Sequence, residues 1–175
     1  MLKQIINFIH SKLIQIPRTT ELSVALRCFR SDPTAVLPSK AHVGYFEDAA
    51  FDLYGPNRDQ SYFLQPNERR MIDTCVSFLI PDGYWLKLRE RSGLASKGIH
   101  VIGGVIDSGY SGRIQVILYN SSKEPVNIPV DKAICQFTVE KLTKATIEEI
   151  DFRTFEVCAS NRQRGIKGFG SSDVK

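Results

Sequence analysis

The feature that most constrains this chain is a series of short β-rich segments, separated by turn residues, that runs from about residue 22 to residue 140. Pro-Asn at 66–67, Pro-Asp-Gly at 81–83 and Asp-Ser-Gly at 107–109 are combinations that form tight turns. Many short strands with frequent turns predict an all-β fold, either a closed barrel or a jelly roll. The predicted strands are Ser23–Phe29, Phe51–Leu53, Tyr62–Leu64, Met71–Leu79, Tyr84–Arg89, His100–Val101, Gly104–Asp107, Arg113–Asn120, Val126–Ile128 and Ala133–Glu140.

Length and composition limit the alternatives. A chain of 175 residues forms one domain and buries a core without a disulfide or a metal. The longest apolar stretch, residues 5–16, is interrupted by polar side chains and cannot span a bilayer. The four cysteines and three histidines are scattered without a CxxC pair, which argues against a zinc site. Scattered cysteines and the absence of a signal peptide favour an intracellular, reducing compartment.

The two ends of the chain differ from its middle. Residues 2–16 place apolar side chains at helical spacing, and Pro17 ends this predicted helix. After Phe155 the chain becomes polar and rich in glycine, which predicts a flexible tail. We therefore expect an N-terminal extension over residues 1–20, a β-domain over residues 21–155 and a tail over residues 156–175.

Charge is concentrated at these ends. Residues 1–20 and residues 153–175 each carry a net charge of +3, whereas residues 21–152 carry a net charge of −2. Proteins that bind duplex nucleic acid more often carry a basic stripe on the folded body. A nearly neutral body with basic ends fits a small anionic ligand better.

Two segments in the middle of the chain carry candidate functional groups. Arg91, Ser92 and Gly93 offer a guanidinium, a hydroxyl and an unhindered backbone amide in succession, and phosphate oxygens need such donors. The same three residues also suit a solvated turn after a strand. Asp107 and Tyr110 lie near the tip of a predicted hairpin. Asp107 is either a general base or a turn former, and Tyr110 is either a stacking platform or a packing residue.

The tail carries a third candidate segment. Residues 162–172 contain three glycines, two serines, three basic residues and one aromatic residue. They match neither a Walker A loop nor a GxGxxG loop. A basic glycine-rich segment can still wrap a polyphosphate with its backbone amides, although it also suits a disordered, soluble end. Phe169, which stands between glycines, favours a ring that closes over a flat ligand.

Together, five segments resemble the five motifs of the trimeric dUTP pyrophosphatase (dUTPase) family, in order and across about residues 49–172. The resemblance implies a distorted, jelly-roll-like β-barrel and a homotrimer with active sites shared between subunits. It also implies Mg²⁺-dependent hydrolysis of dUTP to dUMP and pyrophosphate, which limits uracil in DNA and supplies dUMP. The five segments are Ala49–Tyr54, Arg91–Ala95, Gly104–Gly112, Ala133–Gln136 and Arg164–Ser172.

The resemblance also implies roles for individual residues. Asp107 would orient and deprotonate the water that attacks the α-phosphorus, and Tyr110 would pack under the deoxyribose and exclude a 2′-hydroxyl. Hairpin backbone near Gly104 and Gln115 would read uracil, and Asp52 would organise basic groups and metal-bound water. Mg²⁺ would be held mainly by the triphosphate and water. The implied phosphate-binding residues are Arg91, Ser92, Gly93, Gln136, Arg164, Gly170, Ser171 and Ser172, and Phe169 would cover the uracil.

The chain departs from the family pattern at four positions. Ala50 and Lys167 stand where the family usually has glycine, and Glu90 stands where it usually has proline. Ala133 occupies a position that is usually basic, with Lys132 one residue earlier. Lys167 brings charge near the triphosphate but restricts positive φ, so the path of the tail is the part of the resemblance that these changes affect most.

Two alternative functions share this fold. A dCTP deaminase has a similar hairpin but needs a glutamate where this chain has Ile117, which cannot move protons. A non-catalytic nucleotide sensor or regulatory protein would not need the intact set of Asp107, Tyr110, Arg164 and Phe169. The expected partners are dUTP and further copies of the chain, with neither nucleic acid nor membrane. The expected location is cytoplasmic or nuclear, and the N-terminal extension leaves organelle targeting open.

Overall fold

The computed structural model describes residues 23–44, 47–58, 60–160 and 162. The helix expected near the N-terminus lies outside these residues, as do Arg164, Phe169 and the last serines of the tail. The chain divides into two units, with the division between Leu142 and Thr143. In the described part of the chain, no helix is long and apolar enough to cross a membrane.

The described residues form ten strands, one at each segment that the sequence predicts. Three match the predicted bounds and the others differ by one to four residues at an end, with the largest change at β1, which begins at Arg27 rather than Ser23. The strands are β1 (Arg27–Arg30), β2 (Phe51–Leu53), β3 (Ser61–Leu64), β4 (Arg69–Leu79), β5 (Tyr84–Arg89), β6 (Ile99–Ile102), β7 (Val105–Ile106), β8 (Arg113–Asn120), β9 (Val126–Pro129) and β10 (Cys135–Lys141).

The strands build three antiparallel sheets. The first has the order β1-β4-β8-β6, the second has the order β2-β10-β5-β7, and β3 pairs with β9 in the third. Neighbours in a sheet are mostly distant in sequence, as in jelly-roll topologies. The all-β, jelly-roll-like prediction is therefore confirmed. The hydrogen-bonded ladders of the described residues do not close into one barrel, because each sheet ends in edge strands.

The core lies between the sheets and follows the alternation of the strands. In β8, Ile114, Val116 and Leu118 are buried, while the residues between them are exposed or half-buried. Phe137 of β10 stacks on Phe51 at a ring-centroid distance of 5.3 Å. It also meets Phe78 edge-to-face at 5.4 Å. Since Phe78 belongs to β4, this aromatic group joins the first two sheets.

A bulge interrupts β4 opposite the start of β8. Asp73 pairs with Gln115 and Ser77 with Arg113, so residues 74–76 face a single residue of β8. The backbone of Cys75 has φ 56°, and its N–H donates to Asp73 Oδ1 at 2.8 Å. The bulge therefore adds two residues to β4 without ending the ladder.

The short turn after β5 is helical. Helix α1 covers Ser92–Ala95, and its amides from Leu94 and Ala95 donate to the carbonyl of Arg91 at 2.9 Å. This turn carries the candidate phosphate donors Ser92 and Gly93, both exposed.

The unit after Leu142 contains a helix that the sequence analysis does not predict. Helix α2 spans Phe152–Ser160. Asp151 caps it by accepting from the Thr154 N–H at 3.0 Å and from the Thr154 hydroxyl at 2.7 Å. Both bonds lower the pKa of Asp151. An aspartate three residues before a threonine, followed by helix-compatible residues, is the signal that identifies this helix.

Gly104 lies where the hairpin of β7 and β8 begins, and its replacement tests how closely β5 constrains this point. Its φ is +100°, and a Cβ added there would lie 3.1 Å from both the Cβ and the carbonyl oxygen of Leu88. Leu88 also donates its N–H to the Gly104 carbonyl at 2.8 Å, so the two strands cannot separate freely. We expect Gly104→Ala to lower the free energy of unfolding by about 1–3 kcal/mol.

The control is Gly109→Ala, because a Cβ at Gly109 meets no heavy atom within 4 Å. Its stability should stay within about 1 kcal/mol of wild type. Urea denaturation of both variants measures the difference. Equal losses would show that the close approach at Leu88 does not constrain the hairpin.

Candidate active site

Strand β10 aligns three polar side chains across the second sheet. Gln136 is the Cα partner of Asp52 in β2 and of Arg89 in β5. Residues directly opposite each other in antiparallel strands project to the same face of the sheet. The pairing therefore collects a carboxylate, an amide and a guanidinium from three separate parts of the sequence.

Arg91 joins this group from the end of β5. Its backbone remains extended, with φ −84° and ψ 139°. Its Nε lies 2.9 Å from Asp52 Oδ1. The Asp52 side chain is largely buried, whereas that of Arg91 is 38% exposed. Asp52 therefore holds the guanidinium of Arg91 at its Nε, while part of the group faces solvent and can bind an anion.

These residues line a cleft of about 830 Å³. Five residues singled out from the sequence, Asp52, Arg91, Ser92, Gly93 and Gln136, belong to it. The first two amides of α1, those of Ser92 and Gly93, have no acceptor within the helix, as at any helix start. The cleft thus combines a guanidinium, a hydroxyl and an amide side chain with backbone amides, a set of donors that suits phosphate oxygens.

The cleft also contains residues that the sequence analysis missed, namely His42, Asp48, Arg89 and Thr138. Asp48 Oδ2 accepts from the His42 N–H at 2.9 Å, and His42 Nδ1 lies 3.2 Å from Asp48 Oδ1. These hydrogen bonds, the backbone one first, lower the pKa of Asp48. His42 and Asp48 carry no recognisable motif, so only the folded loop before β2 reveals them.

Glu90 has a defined role at the position where the family usually has proline. Its carbonyl accepts from Gln136 Nε2 at 2.7 Å. Its carboxylate accepts from the Val101 N–H of β6 at 3.1 Å. Hydrogen bonds from its own N–H and from that of Val101 lower the pKa of Glu90. Glu90 thus connects the end of β5 to two other strands and holds the backbone immediately before Arg91.

The hairpin residues lie in a second, smaller pocket. Val105, Ile106, Asp107, Tyr110 and Gln115 line about 200 Å³. Asp107 is exposed, and its carbonyl accepts from the Tyr110 N–H at 3.1 Å, which closes the turn. Gly104 lies directly before this group and forms the bond to Leu88 described above.

The Tyr110 ring has a fixed orientation. Its hydroxyl donates to the Arg113 carbonyl at 2.9 Å. A Cβ at Gly112 would lie 2.6 Å from that hydroxyl, so glycine at this position makes room for the ring. The ring remains 45% exposed. Tyr110 therefore presents an aromatic face while its hydroxyl is bonded to the hairpin itself.

The cleft and the hairpin are separated within one chain. Ile106 pairs with Leu86, and Arg91 lies five residues beyond Leu86, which is about 16 Å along a strand. The sheet order β2-β10-β5-β7 also places Asp52 three strand spacings from β7, or about 14 Å. Asp52 is level with Arg89, three residues beyond Leu86, whereas Arg91 extends from the end of β5, one strand spacing from β7. Both are therefore roughly 17 Å from Ile106 at the start of the hairpin.

The described residues do not include a ready metal site. No group of three or more His, Cys, Asp and Glu side chains within them is close enough to hold a metal ion. The fifth-motif residues Arg164, Phe169, Gly170, Ser171 and Ser172 lie outside the described part of the chain.

Known proteins resemble this chain over most of its length. The model of the dUTPase family matches residues 39–173. Deoxyuridine 5'-triphosphate nucleotidohydrolase of Swinepox virus (strain Kasza) is 32% identical over 154 residues, covering 87% of this chain and all of the viral protein. The protein of that name from Debaryomyces hansenii is 31% identical over 160 residues, covering 91% of this chain and 94% of its own length.

A solved structure has the same fold. A mutant dUTPase of Staphylococcus bacteriophage 80alpha with dUpNHpp matches with a TM-score of 0.71. The two are 24% identical, and the match covers 87% of this chain and all of the phage chain.

The contacts of Glu90 predict that its contribution to the stability of the fold depends on pH. Because its folded pKa lies below the unfolded value, ionised Glu90 stabilises the fold above about pH 4.5, and this contribution is lost as the pH falls through the lowered pKa. Glu90→Gln keeps an oxygen acceptor for Val101 but removes the charge. The difference in unfolding free energy between wild type and this variant should therefore be largest near neutral pH and shrink in acid.

Urea denaturation across a pH series measures this difference. The control is Glu124→Gln, because Glu124 is an exposed residue of the loop before β9. A difference for Glu90→Gln that stays constant from neutral pH into acid would contradict a role for the ionised carboxylate.

Proposed function

The chain belongs to the dUTPase family, and from this we propose that it hydrolyses dUTP to dUMP and pyrophosphate by attack of water on the α-phosphate. The observation that carries the proposal is the cleft in which Arg91, Ser92, Gly93 and Gln136 come together beside Asp52. These residues belong to three of the family's motifs, and the second sheet brings them to one face.

The cleft supports binding of the triphosphate. The guanidinium of Arg91 and the amide of Gln136 donate to non-bridging oxygens, together with the hydroxyl of Ser92 and the backbone at Gly93. Asp52 accepts from Arg91 at 2.9 Å and so keeps the planar guanidinium in one orientation. Such preorganised donors stabilise charge that develops on the phosphates during the reaction.

Asp107 is the proposed general base. Its carboxylate is exposed on a turn that is closed by the Tyr110 N–H, so it can approach a water molecule beside the α-phosphorus. Phosphoryl chemistry needs little covalent help from the protein, and positioning of this water supplies much of the effect. Mg²⁺, when bound with the triphosphate, neutralises part of its charge. Asp52 is the carboxylate of the cleft proposed to orient metal-bound water.

Tyr110 is the proposed determinant of sugar choice. The bond from its hydroxyl to the Arg113 carbonyl leaves the ring face, rather than the hydroxyl, for the ligand. A ring packed under deoxyribose leaves no room for a 2′-hydroxyl. The backbone near Gly104 and Gln115 is proposed to read uracil, because fixed backbone donors and acceptors mismatch cytosine and a tight hairpin excludes the thymine methyl.

The distance between the cleft residues and the hairpin residues supports an active site that is shared between subunits. Cleft and hairpin of one chain lie roughly 17 Å apart, too far for a single α-phosphate to meet both. We therefore propose a homotrimer in which the hairpin of one subunit faces the cleft of another. The tail residues Arg164, Phe169, Gly170, Ser171 and Ser172 are proposed to close over the bound nucleotide.

The role of Asp107 is tested by Asp107→Asn. This change keeps the shape of the side chain but removes the proton acceptor. Turnover of dUTP should fall by roughly 10²–10⁴-fold, whereas affinity for a non-hydrolysable dUTP analogue should change only a few-fold. Pyrophosphate release and calorimetry measure the two quantities. Asp82→Asn, at an exposed turn, is the matched control, and near-normal turnover of Asp107→Asn would remove Asp107 from this role.

The shared site is tested by mixing two inactive variants, Asp107→Asn and Arg91→Ala. In a mixed trimer, the intact hairpin of one chain can face the intact cleft of the other. Random subunit exchange should restore about a quarter of the wild-type sites, because each site needs one defined partner on either side. Pyrophosphate release after exchange measures the recovery.

The matched control mixes Asp107→Asn with Tyr110→Ala. Both changes lie on the same hairpin, so no combination of these chains contains an intact hairpin. Subunit exchange in this mixture should therefore give no activity beyond the average of its two components. If verified mixed trimers of the first pair also stay inactive, each site belongs to one chain and the shared-site proposal is wrong.

A further inference from the structure

A second arginine lies in the cleft beside Arg91. Arg89 is two residues earlier in the chain and ends β5. Residues two apart in an extended chain project to the same side. Arg89 also pairs with Gln136 across the sheet and belongs to the residues that line the cleft. None of the five motifs includes it.

The two arginines differ in how firmly they are held. Arg91 Nε lies 2.9 Å from Asp52, which is hydrogen-bond distance for a charged pair. Arg89 lies 3.7 Å from Glu140 Oε1, which is longer than a hydrogen bond. Glu140 accepts instead from the Thr138 hydroxyl at 2.6 Å, and Thr138 lines the same cleft. Arg89 is therefore oriented loosely by Glu140 while its donors remain available.

The balance of charges in the cleft also favours Arg89 as a ligand for phosphate. The charge of Arg91 is offset by the adjacent Asp52, and Asp48 adds a further carboxylate beside His42. A nucleoside triphosphate carries several negative charges, so a cleft that binds it needs a cation beyond the compensated pair. Arg89 is 46% exposed and lies 3.7 Å from Glu140, so its charge is compensated less closely than that of Arg91, and it supplies this cation at the cleft wall.

We propose that Arg89 is a second phosphate-binding guanidinium of this cleft, contacting the β- and γ-phosphates that leave as pyrophosphate. This assignment rests on the proposed function. Besides Arg89, the cleft offers the guanidinium of Arg91, a hydroxyl, an amide side chain and backbone amides, more donors than one α-phosphate takes, so the β- and γ-phosphates are the groups left for Arg89. Glu140 pairs loosely with Arg89 at 3.7 Å and therefore competes with the anion for this guanidinium.

The test compares Arg89→Ala with Lys87→Ala. Lys87 lies on the same strand and the same face, two residues earlier, and pairs with Thr138, so its removal changes the charge of the sheet by the same amount. Calorimetry measures the affinity of each variant for a non-hydrolysable dUTP analogue and for dUMP, in the presence of Mg²⁺.

Arg89→Ala should weaken the triphosphate analogue roughly ten- to fiftyfold, the effect of losing a charge-assisted hydrogen bond. Its affinity for dUMP should stay within about threefold, because dUMP lacks the β- and γ-phosphates. Lys87→Ala should change both affinities by less than about threefold. Arg89→Lys should recover part of the loss, since it restores charge without the planar fork.

Glu140→Gln separates binding from a purely structural ion pair. If Arg89 serves the ligand, this variant should bind the analogue as well as wild type or better, because a competing carboxylate is gone. A loss equal to that of Arg89→Ala would mean that the Arg89–Glu140 pair only maintains the sheet.

Two other results would overturn the assignment. Equal losses in Arg89→Ala and Lys87→Ala would indicate general electrostatics, and an equal loss for dUMP would exclude the β- and γ-phosphates. A wild-type protein that neither binds the analogue nor releases pyrophosphate from dUTP would refute the proposed function itself. If wild type does both and Arg89→Ala keeps full affinity, only the assignment of Arg89 is wrong.

Discussion

The pairing of β10 with β2 on one side and β5 on the other is the constraint on which the candidate site depends. It places Gln136 between Asp52 and Arg89, and the bond from Gln136 Nε2 to the Glu90 carbonyl extends that alignment beyond the end of β5. Asp52 can then hold Arg91, and α1 begins directly after it. A shift of β10 by one residue would turn Gln136 to the opposite face and leave Asp52 and Arg89 without it between them.

The sequence predicts the elements of this fold better than their assembly. Alternation in β8 and the turns at Pro81-Asp82-Gly83 and Asp107-Ser108-Gly109 are local signals, so the strands are found with small errors at their ends. The β4 bulge and the division into three sheets depend on pairing between distant segments, which no local pattern carries. Helix α2 was missed although Asp151 and Thr154 form a recognisable cap.

For the candidate site as well, the sequence predicts individual residues better than their arrangement. The family resemblance identified Asp52 and Arg91 from separate motifs, but their contact is visible only when β2 and β5 flank the same strand. Arg89 and Thr138 belong to no motif and enter the cleft solely because they alternate with, or lie opposite, residues that do. Glu90 appeared as a departure from the family and proves to connect β5 with β6 through its carboxylate. At the end of β5, a hydrogen-bonded glutamate side chain thus holds the backbone where the family usually has a rigid proline.

The β4 bulge has a consequence for how this strand tolerates change in length. Because residues 74–76 lie opposite one residue of β8, the insertion amounts to two residues, an even number. Ile72, Thr74, Val76 and Phe78 therefore all remain on the buried side, on both flanks of the bulge. Loss of two bulge residues would leave a regular ladder with Ile72 and Phe78 still on the buried side, whereas loss of one would turn one flank of the strand to the opposite face and expose its apolar side chains.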